Sequence, residues 1–456
     1  MSKHVMREIV FPLLRTGWIL LVIIGLYVTR GHGQEQSEAV DLDAAKRAEI
    51  IDSVSAALNE IYVFPDVAKE MESHLRQRNR EGAYDLLSTL PDFTQMLTRD
   101  LRSVSHDLHL GVSYVSPEMV ARMTSDTDSE ELERERREAL ARDNYRFRKV
   151  EILPGNVGYL RFDAFIDASL AGPTAIAALN FLSNVDALII DLRYNGGGSP
   201  SLIQLITSYF FEEPVHLNSF YIRKSDETTQ FWTQSHVEGP RLTDVDMYVL
   251  TSDRTFSGAE EFSYNLRNLE RATLVGDTTG GGAHPTERHL FANLNVGMSL
   301  PFGRAVNPIT DTNWEGVGVI PHVAVPPAEA LERAHILALE KLKEEAPDEG
   351  RASTLSWAID GIKARLNPVK VSSEVLQSYV GSYGPRTLTL EAGVLYYQRE
   401  GNPRMQAIPM TERLFRFAEI DYFRIEVVLD EAGQPVKLVG HYDNGTTDES
   451  PRTPSG

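Results

Sequence analysis

The chain of 456 residues contains no cysteine, and this absence removes several kinds of chemistry at once. Disulfide bonds, thiolate catalysis and cysteine-ligated metal sites are all excluded. Positive charge is also scarce, since 45 lysines and arginines stand against 65 aspartates and glutamates, for a formal net charge of -20. Because nucleic acids are bound by basic faces, this balance argues against a nucleic acid as partner. An acidic surface mainly implies solubility.

An apolar run near the N-terminus indicates targeting. Lysine and arginine residues precede the uncharged segment 16–29, and the small residues of Gly31-His-Gly33 follow at a spacing that an export peptidase accepts. This pattern predicts that residues 1–33 are a secretory signal. If the apolar run extends back to residue 9, residues 9–29 would instead be an uncleaved inner-membrane anchor. Either way, we expect an exported, periplasmic protein.

Four further regions follow along the chain. Residues 43–115 place apolar residues three and four apart, and predict a helical bundle that ends in a short strand carrying two histidines. Residues 116–345 begin with a charged stretch and then alternate strands with helices, which predicts an α/β core with a largely parallel sheet. Residues 346–372 are typical of a linker with one helix. Residues 373–456 predict a small antiparallel β module.

Ser257 is the candidate nucleophile. It stands in the turn TSDRTFSG (251–258), between the apolar run VDMYVL and a segment of helical periodicity. A serine in such a turn places its hydroxyl at a helix N-terminus, where backbone N–H groups can stabilise a developing oxyanion. The letters from Ser257 to Glu260 also fit the S-x-x-E capping box, which is the commoner explanation for this turn taken alone.

A serine that transfers acyl groups needs a base, a group that orients the base, and donors for the oxyanion. The histidines within residues 105–110 are candidate bases, and the glycine turn YNGGGS (194–199) can present backbone N–H groups to a ligand. Glu315 is an acid in an otherwise apolar, glycine-rich run. Taken singly, each feature has a commoner explanation as a surface or structural residue.

Four segments in order carry a family resemblance: DLRYNGGG (191–198), TSDRTFSGAEEF (251–262), LVGDTTGGGAHP (274–285) and WEGVGVIPHV (314–323). Their order and spacing resemble the C-terminal-processing and tricorn-type serine peptidases, in the branch similar to the repeats of interphotoreceptor retinoid-binding protein. The resemblance covers roughly residues 43–345. It implies a crotonase/ClpP-like α/β core with an N-terminal helical bundle.

The resemblance implies that Ser257 is the nucleophile, and that the backbone N–H groups of Gly258 and Gly197 form the oxyanion hole. Two departures limit it. The processing branch has a catalytic lysine in its glycine-rich loop, where this chain has Gly280–Gly282, so a Ser–Lys dyad is disfavoured. The processing proteases also insert a PDZ domain, for which the charged stretch between the bundle and the core is too short.

The D-x-H segment of the family falls on Asp107-Leu-His109, so His109 matches the general base, with His106 as the alternative. The acid before the G-V-x-P segment falls on Glu315. The resemblance therefore implies a Ser–His–Glu triad without a metal or an organic cofactor.

Two functions of different classes follow from this pattern. The first is an exported serine endopeptidase that acts on a peptide or protein substrate. The alternative is a non-catalytic protein that binds a hydrophobic ligand such as a lipid on the same fold. A pure binder has no need to keep the serine, the histidine, the glutamate and the glycine turn together, which favours the peptidase. The C-terminal module is similar to lipocalin-like β domains and implies an accessory binding or lid role, with simple packing as the alternative.

Overall fold

The computed structural model describes residues 42–454, so the predicted signal or anchor (1–33, with 9–29 as the apolar span) lies outside the described residues. Among the helices of the described part, none combines the length and apolar character that a membrane crossing requires. The chain divides into two compact units. The first comprises residues up to Leu132, Tyr221–Glu227 and His284–Arg304, and the second comprises Glu133–Phe220, Thr228–Ala283 and Ala305 onward.

The α-helices begin and end as follows: α1 Ala44–Ile61, α2 Pro65–Arg80, α3 Leu90–Ser105, α4 Pro117–Thr124, α5 Asp126–Arg142, α6 Ala168–Phe181, α7 Pro200–Thr207, α8 Gly258–Asn268, α9 Ala330–Glu344, α10 Glu349–Leu366 and α11 Ser373–Tyr379.

The strands that precede the C-terminal module are β1 Gly111–Tyr114, β2 Phe147–Leu153, β3 Val157–Phe162, β4 Ala187–Asp191, β5 His216–Ile222, β6 Glu227–Trp232, β7 Asp246–Thr251, β8 Ala272–Gly276, β9 Thr286–Phe291, β10 Val296–Pro301, β11 Gly303–Val306 and β12 Val323–Ala324. Those of the C-terminal module are β13 Gly381–Tyr383, β14 Arg386–Glu391, β15 Val394–Arg399, β16 Met405–Gln406, β17 Ile408–Pro409, β18 Leu414–Arg416, β19 Phe423–Leu429, β20 Pro435–Tyr442 and β21 Thr447–Pro451.

The first unit is the predicted helical bundle. Helix α1 begins where the Asp43 side chain accepts the N–H of Lys46, and α3 begins where Thr89 accepts the N–H of Asp92. The apolar faces of α1, α2 and α3 pack together with the antiparallel sheet β1–β10–β9 around one core. The prediction of an N-terminal helical bundle is confirmed.

The prediction that both histidines lie in the strand is wrong. His106 ends α3 in the left-handed region, with φ 56°, and β1 begins only at Gly111. Between them the Asp107 carboxylate accepts the N–H of His109 at 2.9 Å, a local turn that competes with extended pairing. His109 therefore lies in a turn between helix and strand, where it is buried.

The second unit is built on a six-stranded sheet of order β12–β8–β7–β4–β3–β2. The first five strands are parallel and β2 is antiparallel. Strand β4 is buried along its whole length, as continuous apolar runs predict for the centre of a parallel sheet. Helices α9 and α10 share a core with one face of this sheet. The predicted α/β core is thus confirmed. A further three-stranded sheet has the order β11–β5–β6.

The predicted linker contains a helix, and the C-terminal module is built of antiparallel strands. Helix α10 lies within residues 346–372 and buries Leu355, Ile359 and Ile362 in the core that α9 shares with the sheet. The C-terminal module contains two antiparallel sheets, β13–β14–β15–β16 and β17–β18–β19–β20–β21, which confirms the predicted β architecture. Its surface carries a pocket of about 470 Å³, open to solvent and lined partly by Tyr397 and Phe423.

Candidate active site

Ser257 lies between the end of β7 and the start of α8, in a strained backbone conformation with φ 54° and ψ -121°. This region is sparsely populated by residues with a side chain, and strain of this kind clusters at functional sites. The backbone N–H of Ser257 donates to the Glu260 carboxylate at 2.8 Å, which is the half of the capping box that the glutamate supplies.

Two turns at the ends of adjacent strands pack against each other at Ser257. The N–H of Phe256 donates to the Asn195 carbonyl at 3.1 Å, and the Thr255 hydroxyl donates to the Leu192 carbonyl at 2.8 Å. A Cβ atom on Gly197 would lie 2.6 Å from the nitrogen of Gly258 and 2.8 Å from the Cβ of Ser257. The approach of the two turns therefore requires glycine at position 197.

The structure brings Gly197 and Gly258 together, and also shows that the Gly197 N–H is engaged. It donates to the Asn195 side-chain oxygen at 2.9 Å, while the amide of Asn195 donates to the Phe162 carbonyl at 2.9 Å. The nitrogen of the next residue, Gly198, lies 2.9 Å from the place that a Cβ on Gly258 would occupy. Backbone N–H groups of both turns thus lie side by side, and their role in an oxyanion hole stays a prediction.

Glu260 connects the serine turn to the glycine-rich loop. Its Oε1 accepts the N–H of Gly281 at 2.7 Å and the hydroxyl of Thr279 at 2.5 Å, and its Oε2 accepts the N–H of Gly282 at 2.9 Å in addition to that of Ser257. The side chain is fully buried. Burial raises the pKa of Glu260, an effect that these hydrogen bonds oppose.

Glu315 lies on a segment that runs along the same glycine-rich loop. Its carboxylate accepts the N–H of Ala283. On either side, the Trp314 indole donates to the Gly282 carbonyl at 2.6 Å and the Gly316 N–H donates to the Gly281 carbonyl at 2.9 Å. The loop is thus held from one side by Glu260 and from the other by the Glu315 segment.

His109 in the first unit is an almost fully buried imidazole. The backbone N–H of His109 donates to the Asp107 carboxylate, and burial lowers the pKa of the His109 imidazole to about 4. The imidazole is therefore neutral at pH 7 and able to accept a proton. His106, by contrast, is exposed.

His284 is a buried histidine that the sequence analysis did not select. Its Nδ1 lies 2.6 Å from Oδ2 of Asp107, and the Tyr62 hydroxyl donates to the same oxygen at 3.3 Å. Burial alone would raise the pKa of Asp107, but the hydrogen bond and charge of the His284 imidazole hold it below its usual range. The sequence feature that could have identified His284 is its place in a loop (279–285) of otherwise small and uncharged residues.

The predicted site residues divide between the two units. Ser257, Gly197, Gly258 and Glu315 lie in the second unit, and His109 lies in the first together with Asp107 and His284. Their catalytic roles stay predictions.

Several solved structures of low sequence identity are similar to this chain. The photosystem II D1 C-terminal processing protease is 20% identical, with a TM-score of 0.32 over 38% of this chain and 42% of that one. Mature CPAF is 12% identical, with a TM-score of 0.46 over 66% of this chain and 97% of that one. The tricorn protease is 14% identical, with a TM-score of 0.41 over 70% of this chain and 37% of that one. The chain thus spans less than half the length of the first and the last.

Two family models match consecutive parts of the chain. Residues 39–154 match the N-terminal domain of the S41 peptidases in eukaryotic IRBP, and residues 156–325 match peptidase family S41 itself. The matches cover the helical bundle and the α/β core, including all the segments that carried the resemblance. The chain belongs to peptidase family S41, a family of serine-type peptidases.

Proposed function

We propose that this protein is an exported serine endopeptidase with Ser257 as nucleophile, His109 as general base and Glu315 as the acid that orients the histidine. The observation that carries the proposal is the backbone of Ser257, which is held at φ 54° and ψ -121° between a glycine turn and the N-terminus of α8. Strained strand-to-helix turns of this kind present nucleophilic serines in other hydrolases.

In the proposed reaction, Ser257 Oγ attacks the carbonyl carbon of the peptide bond while His109 takes its proton. The carbonyl oxygen becomes an oxyanion, which accepts hydrogen bonds from the Gly258 N–H and from the NGGG turn. Either Gly197 exchanges its bond to Asn195 for one to the oxyanion, or the neighbouring Gly198 donates. His109 then protonates the leaving amine. Water next attacks the ester carbonyl of the acyl-enzyme while His109 takes its proton, and when the bond to Ser257 Oγ breaks, His109 returns the proton to that oxygen and the carboxylic acid product leaves.

The neutral state of His109 supports its role as a base, since a protonated imidazole could not take the serine proton. Its pKa of about 4 keeps it neutral at pH 7, although a base whose pKa lies nearer the operating pH takes a proton more readily. No metal or organic cofactor has a part in this mechanism.

Export is proposed from the sequence of residues 1–33, as a cleaved signal or as an inner-membrane anchor over residues 9–29. The location proposed is the periplasm. Substrate selection without a PDZ domain is also proposed, since residues 116–155 are occupied by α4, α5 and β2.

The alternative function is binding of a hydrophobic ligand without catalysis. It predicts a folded protein in which Ser257 has no unusual reactivity. The peptidase is preferred because strain at a serine costs stability and is hard to explain in a binder.

The proposal is tested by hydrolysis of fluorescein-labelled casein at pH 7. We expect Ser257→Ala and His109→Ala to lower the rate at least about a thousandfold, and Glu315→Gln to lower it by a smaller factor. Matched controls are Ser353→Ala on α10 and His74→Ala on α2, which should keep wild-type rates. Equal rates in Ser257→Ala and Ser353→Ala would contradict the proposal.

A further inference from the structure

Three arginines converge on one half-exposed tyrosine in the second unit. The Tyr194 ring, with 45% of the residue exposed, has the guanidinium carbons of Arg161, Arg193 and Arg254 at 4.2, 6.0 and 5.9 Å from its centroid. Cations over a tyrosine face are attracted by the ring, which therefore holds them in place.

Two of these arginines have carboxylate partners and one has none. Arg161 pairs with Asp163 at 3.0 Å, and Arg193 pairs with Asp191 at 2.7 Å. Within residues 42–454, the Arg254 guanidinium has the Tyr194 ring as its contact and no carboxylate partner. Its fork of N–H donors matches the two oxygens of a carboxylate.

The position of this cluster places it close to the proposed nucleophile. Arg161, Tyr194 and Arg254 stand at the carboxyl ends of β3, β4 and β7, which are neighbours in the sheet. Ligands of open parallel sheets bind at that edge. Arg254 precedes Ser257 by three residues, so their Cα atoms are at most about 11 Å apart, the reach of about three residues of an extended peptide.

We propose that Arg254, held by Tyr194 and flanked by Arg161 and Arg193, forms a subsite for a carboxylate of the peptide substrate. The inference rests on the proposed peptidase function and adds a specificity to it. A carboxylate in a peptide is either its C-terminus or an aspartate or glutamate side chain. The shared chemistry is a bidentate, charge-assisted pair with the Arg254 guanidinium.

The test measures peptide binding to full-length Ser257→Ala protein, in which turnover is blocked. Three dansylated heptapeptides of one sequence are compared by fluorescence anisotropy: one with a free C-terminus, one with a C-terminal amide, and an amide with aspartate as its last residue. We expect at least one carboxylate peptide to bind about tenfold more tightly than the neutral amide. The carboxylate peptide that binds more tightly identifies whether the subsite takes a C-terminal carboxylate or an acidic side chain.

Arg254→Gln should remove this preference, so that the carboxylate peptides bind no more tightly than the neutral amide. Tyr194→Leu should reduce the preference several-fold, since it removes the ring that holds the guanidinium. The matched control is Arg304→Gln, because Arg304 is also an exposed arginine, 5.5 Å from the Tyr221 ring centroid. The control should keep the preference, and raised salt should weaken it.

Equal binding of all three peptides, no binding of any of them, or a preference that survives in Arg254→Gln would overturn the subsite. Failure of the proposed peptidase function would look different. In that case wild-type protein would not hydrolyse casein, while the carboxylate preference would persist in the binding assay.

Discussion

Oδ2 of Asp107 lies 2.6 Å from Nδ1 of His284, and both side chains are almost fully buried although 177 positions separate them in the sequence. The other oxygen of Asp107 accepts the backbone N–H of His109. The His284–Asp107 pair therefore fixes the turn that carries the proposed base, and His284 is a positioning residue.

We predict that His284→Leu destabilises the protein by about 3 kcal/mol, because it leaves a buried carboxylate without its main partner. Misplacement of the His109 turn should also lower kcat by about tenfold to a hundredfold, with KM nearly unchanged. His284→Asn should recover much of both losses, since its amide nitrogen can stand where Nδ1 does. Urea denaturation and steady-state kinetics measure the two effects.

The control is His289→Leu on β9, a histidine of the same unit that contacts the Phe291 ring. It should leave kcat unchanged. If His284→Leu and His289→Leu have the same kcat, His284 has no positioning role.

His109 makes stability depend on pH. The unfolded imidazole has a pKa near 6.5 and the folded one about 4, so the unfolded state binds the proton first as pH falls. The folding stability that depends on the neutral His109 imidazole is therefore fully present above pH 6.5. It decreases by about 3 kcal/mol as pH falls to 4. The charged or titratable groups that act on His109 are Asp107, His284 and Arg102.

Urea denaturation between pH 7 and pH 4 checks this prediction. His109→Gln should lose about 3 kcal/mol less than wild type over this range, and His74→Gln should follow wild type. If the free energy of unfolding of His109→Gln and of wild type changed equally with pH, the His109 imidazole would not be held in its neutral form by burial.

Ser257→Gly should produce a more stable protein than Ser257→Ala, by about 1 kcal/mol, although both are inactive. Glycine adopts the conformation of residue 257 without the strain that any Cβ atom brings. The comparison is checked by thermal or urea denaturation.

The matched pair is Ser353→Gly and Ser353→Ala in α10, where the order should reverse because glycine is unfavourable inside a helix. If alanine were the more stable variant at residue 257 as well as at residue 353, the backbone of Ser257 would not be strained.

Two adjacent glutamates in α8 should respond differently to the same substitution. Each carboxylate oxygen of Glu260 accepts two donors, at least one of them a backbone N–H, so an amide at this position would set its own NH₂ group against a backbone N–H donor in either orientation. We expect Glu260→Gln to cost about 3 kcal/mol. Burial raises the pKa of Glu261 to about 8, so this residue is a neutral acid at pH 7 that glutamine can imitate.

Denaturation at several pH values separates the two glutamates. The raised pKa of Glu261 gives stability that is fully present below pH 4.5 and lost as pH rises through 8. Glu261→Gln should therefore cost little at pH 7 and increase stability, relative to wild type, above pH 8. If Glu261→Gln lowered the free energy of unfolding at pH 7 more than Glu260→Gln did, the assignment of Glu261 as a neutral acid would be contradicted.

The sequence predicts the elements around the serine well, because their signals are local. The apolar runs that become β4 and β7 and the turns that follow them are all visible in short windows. The capping-box explanation of Ser257 also has a counterpart in the structure, since Glu260 accepts the serine N–H. It accepts three more donors from the glycine-rich loop, which no local pattern indicates.

Long-range partners were beyond the reach of the sequence. His284 stands in a segment that carried the family resemblance, but its partner Asp107 lies in another region of the chain, and no spacing rule connects them. The bond between the Gly197 N–H and Asn195 was missed for a different reason. It depends on the side-chain rotamer of an asparagine inside a turn, which the letters NGGG leave open.

The central claim is that Ser257 is an activated nucleophile. The most direct test treats the purified protein with a fluorophosphonate probe and measures its intact mass, with peptide mapping of the modified residue. We predict one adduct per chain, on Ser257, which is absent in both Ser257→Ala and His109→Ala and present in Ser353→Ala. A folded wild-type protein that gains no adduct would contradict the claim and favour the ligand-binding alternative.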